Sequence, residues 1–214
     1  MDETEDSRDR QKAPGAERHD SLPGAGLRAR SAVLLTALLV LVGIGGYVGY
    51  WVAMGRYAVV DPGRLYRSAV YPPHRLVEEC KRLGIRTVVD FRMDSPKTEA
   101  EAKALGEIGV RYAHLPTGQV PPPEVVKAFL EIMSHEENLP VLIHCQHGVG
   151  RTGLHAAIYR MEFQGWSNEC ARLEAMLFAG FDSFQKDTDK GRFIESYTPQ
   201  LRRDRGLDSS TQSR

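Results

Sequence analysis

Residues Pro140–Gly153 read P-V-L-I-H-C-Q-H-G-V-G-R-T-G. The run Val141, Leu142, Ile143 is apolar, rich in β-branched residues and short, which fits a buried strand. It passes through Cys145, Gly148, Gly150 and Arg151 into Leu154–Phe163, which reads as a helix. A strand, a glycine-bearing turn and a helix in that order bring backbone N–H groups to a helix N-terminus, where an anion is stabilised. Cys145 stands at the mouth of that site.

These residue types suit phosphate chemistry. The thiolate is the reactive form of cysteine, and a helix N-terminus with nearby positive charge lowers a thiol pKa below its free value of about 8.5. Gly148 and Gly150 let the loop bring its amides close to a ligand. Arg151 offers a planar fork for two phosphate oxygens. Thr152 is placed to hydrogen-bond Cys145, and His144 to orient the loop through the backbone. The loop residues Gln146, His147, Gly148, Val149 and Gly150 form the expected phosphate cradle with Arg151.

The pattern H-C-x-x-G-x-x-R-T resembles the signature of the cysteine-dependent protein tyrosine and dual-specificity phosphatases. C-x5-R alone is weak; C-x5-R-T after an apolar strand, with His before Cys and Gly inside, is specific. The flanks Y-R-M-E-F-Q-G-W-S (Tyr159–Ser167), G-R-L-Y-R-S-A and L-G-I-R-T-V-V-D-F-R resemble a bacterial dual-specificity-like branch, so the likeness spans roughly Val60–Arg203. It implies the phosphatase fold and attack by Cys145 on phosphorus through a phosphocysteine. It also implies an aspartic acid, a few tens of residues upstream, that protonates the leaving oxygen. No cofactor or metal is implied.

The chain departs from the family at that acid. The corresponding loop, P-T-G-Q-V-P-P-P, holds no carboxylate before Glu124, and Gly150 stands where the branch often has an acidic residue. The remaining candidates are Asp94, Glu99, Glu124 and Asp182. Asp94 is the one chosen, because it follows the strand Ile85–Phe91 at the same sheet edge; Asp90 is closer but turned into the strand. His144, His147 and His155 with Cys145 match no common zinc spacing, and Arg151 would repel a cation. Arg92 is expected to pair with a local carboxylate.

With 28 basic and 28 acidic residues the net charge is zero, which removes a general electrostatic case for nucleic acid. Three cysteines make no disulfide framework, and Cys80 and Cys170 read as small hydrophobes in helices. Residues 1–30 are polar and Pro/Gly-bearing, an expected disordered tail, as is the segment 206–214. Residues 31–54 carry no charge and are long enough for a transmembrane helix, so a lipid bilayer is an expected partner and a single-pass membrane protein the expected localisation. Tyr47, Tyr50 and Trp51 cluster at one end of it, and the segment is longer than a signal-peptide core. Arginines flank both ends almost evenly and set no orientation.

Residues 57–205 are the expected phosphatase domain. Strands are expected at 64–69, 85–91, 111–115 and 141–145, and helices at 72–83, 96–108, 121–135, 154–163, 167–179 and 191–203. Their alternation predicts an α/β fold, a mostly parallel central sheet flanked by helices, with ligands beyond the carboxyl ends of the strands. The expected activity is hydrolysis of a phosphotyrosine-like phosphomonoester. Two competing readings are a catalytically weak module that recruits a phosphorylated partner, and a rhodanese-like sulfur transferase, which the Arg-Thr pair argues against.

Overall fold

The computed structural model describes residues 25–53, 55–179 and 183–201. Residues 1–24 of the tail expected at 1–30, and the tail expected at 206–214, lie outside them. The chain divides into two units at Val48.

The first element is helix α1 (Ala25–Ala53). It takes in 25–30, which composition assigned to the tail; Ala, Leu and Arg are good helix formers and let the helix start early. Its described side chains are Arg30 and residues 33–49, and the large apolar ones among them, Leu34 and Leu41 included, are exposed. Among the described residues, no helix is long and apolar enough to cross a membrane.

The second unit is built on one sheet. Strands β1 (Ala58–Asp61), β2 (Leu65–Ala69), β3 (Thr87–Asp90), β4 (Arg111–His114) and β5 (Val141–Cys145) lie in the order β1-β2-β5-β3-β4. All neighbours are parallel except β1 and β2, which form an antiparallel hairpin, so the sheet is mixed. The Asp61-Pro62-Gly63 turn between them is closed by Arg64 N donating to Asp61 O at 3.0 Å. The edge strand β1 in front of it was not legible, because four residues with one buried side chain carry too little alternation.

Helices α2 (Pro73–Leu83) and α3 (Pro96–Gly106) cover one face; α4 (Pro123–Ser134), α5 (Gly150–Phe163), α6 (Asn168–Ala179) and α7 (Asp189–Ser196) cover the other. Pro at the start of α2 and α4 supplies a preset φ where an N–H has no partner anyway. Gly84 ends α2 at φ +65, a conformation costly for any residue with a Cβ. Ser95 and Thr98 form a reciprocal capping box on α3.

The centre of the sheet, β5, is wholly buried, and its alternation decides what each residue does. Val141, Ile143 and Cys145 join the core under α4–α7. Leu142 joins the smaller core under α2 and α3, and His144 points the same way, toward Glu101 of α3. Most boundaries differ from expectation by a few residues, and two of the differences deserve a reason. Helix α5 begins at Gly150, so Arg151 and Thr152 lie in its first turn rather than in a preceding loop. Helix α7 stops at Ser196 and Tyr197 is extended; Pro199 disfavours the helical region for Thr198, so the helix does not run on through it.

Candidate active site

Strand β5 delivers Cys145 to the carboxyl edge of the sheet, and the next five residues wrap into α5. Three successive carbonyls of this turn face outward to fixed donors. Gln146 O accepts from Val70 N at 3.5 Å, His147 O from Arg56 Nη1 at 3.0 Å, and Gly148 O from Arg67 Nη2 at 2.9 Å. With the carbonyls held outside, the amides of the turn are directed inward. The His147, Gly148 and Thr152 N–H groups donate to the Cys145 sulfur. Gly148 has φ +66, and a Cβ there would lie 2.5 Å from Ala69 N and 2.6 Å from Ser68 O, so only glycine fits against β2.

Arg67 is a functional residue that sequence reasoning missed. It projects from β2, is 1% exposed, and lies over the Phe178 ring at 4.3 Å. Burial lowers its pKa to about 10, partly countered by Glu174 and by Cys145, so the guanidinium stays charged at neutral pH. Arg56 was seen only as a flanking charge. Both grip backbone oxygens, which leave no trace in residue identity at the accepting position.

Burial would raise the Cys145 thiol; the Thr152 hydroxyl and the loop amides outweigh it and hold the thiol below its ordinary value. The Thr152 hydroxyl is buried and makes no hydrogen bond of ordinary length and angle among the described residues. Because the folded pKa is depressed, the thiolate contributes stability above the unfolded pKa, and that stability is lost as pH falls through the folded value. Alkylation by iodoacetamide against pH should therefore inflect below the range of a free thiol. Thr152→Val should move the inflection upward; an unchanged inflection would leave the hydroxyl without a role.

Arg151 is half-buried in the first turn of α5. Its Nη1 donates to Phe91 O at 2.7 Å and to Thr117 O at 3.4 Å, which ties the guanidinium to the ends of β3 and of the loop after β4. Cys145, Arg151, Gly150, Val149 and His147 line one cavity of about 670 Å³, joined by Arg56, Gln119, Ser183 and Lys190. Gln146 is exposed beside it.

None of the described lining residues is a carboxylate. Asp94 sits on the loop after β3, 88% exposed, 3.3 Å from His114 Nδ1, and does not line the cavity. Glu99 and Glu124 are exposed on α3 and α4 and do not line it either. Asp182 lies outside the described residues.

The His144 side chain turns away from the loop, toward β3 and α3. Its imidazole is 1% exposed, with Nε2 2.7 Å from Glu101 Oε1 and Nδ1 3.8 Å from Asp90 Oδ1. Arg92 bridges the same two carboxylates, through Asp90 Oδ2 at 2.6 Å and Glu101 Oε2 at 2.5 Å. Burial would raise the Asp90 carboxyl, but the Arg92 hydrogen bonds and His144 win and hold it low. Asp90, Glu101 and His144 could each offer a metal an atom within 4.8 Å of the others, yet a cation would have to displace Arg92. Removing one member of so buried a pair leaves the others uncompensated. Glu101→Ala should cost about 3–5 kcal/mol, read as a lowered urea midpoint, whereas a shift below about 1 kcal/mol would contradict the network.

The imagined zinc set is spread apart. His155 is buried against Phe91, ring centroids 3.8 Å apart, and burial lowers its pKa to about 4, so it is a neutral core residue. His147 is exposed in the loop, and His144 lies behind the strand.

Comparison with known proteins agrees with this geometry. A family model described as a DSP-PTPase phosphatase fused to NAD+ kinase matches residues 78–191. The dual specificity protein phosphatase TpbA of Pseudomonas aeruginosa is 38% identical over 132 residues, 61% of this chain and 57% of the relative. The chain thus spans a little over half the length of the curated relatives it matches. A crystal structure of P. aeruginosa TpbA is 35% identical, with TM-score 0.53, covering 66% of this chain and 84% of that one. A cysteine-to-serine TpbA in complex with pTyr is 33% identical, with TM-score 0.52, covering 71% of this chain and 92% of that one. The catalytic core of the PP-IP phosphatase Siw14 from S. cerevisiae, in complex with citrate, is 25% identical, with TM-score 0.57, covering 70% and 90%. With its sulfur, arginine and outward-held carbonyls on the shared fold, the chain belongs to the DSP-PTPase phosphatase family.

Proposed function

We propose that this protein is a phosphoric monoester hydrolase that works through a phosphocysteine and prefers phosphotyrosine-like substrates. The observation that carries this reading is the outward pinning of the Gln146, His147 and Gly148 carbonyls, which turns the amides around Cys145 toward one anion-sized hollow. The Cys145 thiolate attacks phosphorus, an S–P bond forms, and the P–O bond to the leaving group breaks. Water then attacks phosphorus, and the P–S electron pair returns to sulfur. Loop amides and Arg151 stabilise the charge on the equatorial oxygens in both steps.

A cavity without a lining carboxylate among the described residues has at most a weak acid to offer the leaving oxygen, which favours phenols over alkyl alcohols as leaving groups. Phosphotyrosine peptides should be hydrolysed at least about 10²-fold faster than phosphoserine peptides, the scale of general acid assistance. Equal kcat/KM on matched peptides would contradict the preference. The relative crystallised with pTyr supports this substrate class. The same lack of a carboxylate supports a second reading, a phosphate-binding module that recruits a phosphorylated partner. Turnover of p-nitrophenyl phosphate separates the two.

We further propose that residues 31–54 anchor the domain to a lipid bilayer. The support is the absence of charge across that run and the exposed apolar side chains along α1. The test is fractionation of the full chain: carbonate-resistant membrane association that is lost in a protein starting at Tyr57.

A further inference from the structure

We propose that Lys190 is the proton donor to the leaving group, positioned by Gln119. This rests on the phosphatase reading above. Lys190 Nζ donates to Gln119 Oε1 at 2.8 Å, an anchor supplied by the loop after β4. The same nitrogen lies 3.1 Å from where a Cβ on Gly150 would stand, so it hangs over the first turn of α5, and any side chain at 150 would crowd it. Lys190, Gln119 and Gly150 share the cavity with Cys145.

The choice of Lys190 follows from which groups can release a proton. Among the described lining residues these are Cys145, His147 and Lys190, since Arg56 and Arg151 keep theirs. Cys145 is the nucleophile. His147 is exposed, and its hydrogen bonds to the Cys145 sulfur and to Arg56 run through its backbone rather than its imidazole. Lys190 is half-buried and held. Burial brings it below the usual lysine range, with Cys145 opposing and Arg151 adding to the shift. An ammonium and a phenol lose their protons over neighbouring pH ranges, which suits proton transfer to a departing phenolate. The cations Arg56, Arg151 and Lys190 also balance one thiolate and one phosphoryl dianion, which fits a single phosphate group.

In the first step the P–O electron pair goes to the leaving oxygen, which takes a proton from the Lys190 ammonium. A neutral alcohol and a neutral amine remain. In the second step the amine accepts a proton from the attacking water as the O–P bond forms and the thiolate departs. Each turnover restores the ammonium.

The test compares full-length wild type, Lys190→Arg and Lys190→Met on 2,4-dinitrophenyl, p-nitrophenyl and phenyl phosphate. Arginine keeps the charge without a releasable proton. Both variants should lose about 10²-fold in kcat/KM on phenyl phosphate and progressively less as the leaving group improves. The basic limb of the wild-type pH profile should vanish in Lys190→Arg. A uniform loss across the series, or a Lys190→Arg enzyme equal to wild type on phenyl phosphate, would overturn the proposal by showing a binding or structural role. So would a leaving-group-dependent loss in His147→Asn with none in Lys190→Met. Turnover surviving in Cys145→Ser would instead overturn the phosphocysteine reading on which the proposal rests. Residual activity on the dinitrophenyl ester reports that each variant is folded.

Discussion

Cys145→Ser should lose p-nitrophenyl phosphate turnover by on the order of 10⁴-fold or more, while keeping its affinity for a phosphate oxyanion. The reasoning runs from the sulfur. Cys145 is held below its ordinary pKa by the Thr152 hydroxyl and by the amides of Thr152, His147 and Gly148, against the opposing effect of burial. Those donors favour the thiolate, but a serine hydroxyl starts several units higher, so the same donors leave it protonated. The cradle itself is made by Arg56, Arg67 and backbone groups, none of which the substitution touches. Removing the thiolate also removes a negative charge from the floor of the hollow, so dianion binding should be equal or tighter. Titration with tungstate alongside the kinetic assay checks both halves. Loss of binding together with turnover would mean that the substitution had unfolded the loop.

Arg151→Lys should cost about 10²–10³ in kcat/KM, mostly in kcat. One guanidinium nitrogen is committed to Phe91 O at 2.7 Å and to Thr117 O at 3.4 Å. That leaves the rest of the planar fork for the phosphoryl oxygens, already oriented before substrate arrives. A lysine ammonium is a point charge that cannot hold two carbonyls and fork a phosphate at once. Because charge on the equatorial oxygens is redistributed as the P–O bond opens, the missing contacts act chiefly in the transition state. A loss confined to KM would show that Arg151 serves ground-state binding alone.

The part of the site that was legible in the sequence is contiguous. Cys145, Gly148, Arg151 and Thr152 fall within eight residues, and the chemistry demands those residue types at that spacing. The α/β alternation was legible for the same reason: Pro73, Gly84, Pro96 and Pro123 mark element ends through local backbone geometry. What escaped depends on tertiary placement. Arg67 meets Gly148 across 81 positions, and Lys190 meets Gln119 across 71, and neither pair has a local spacing rule. Lys190 likewise reaches the cavity from α7, far along the chain from the loop. Asp94 satisfied the sheet-edge argument, yet its side chain turns to His114 and solvent.

The central claim is that the Cys145 sulfur itself attacks phosphorus. Rapid acid quench of the full chain during turnover of an aryl phosphate, followed by peptide mass spectrometry, tests it most directly. The account predicts a transient phosphate adduct on the peptide carrying Cys145, formed within one turnover and absent from Cys145→Ser. Full turnover with no adduct on that peptide, or an adduct on another residue, would contradict it.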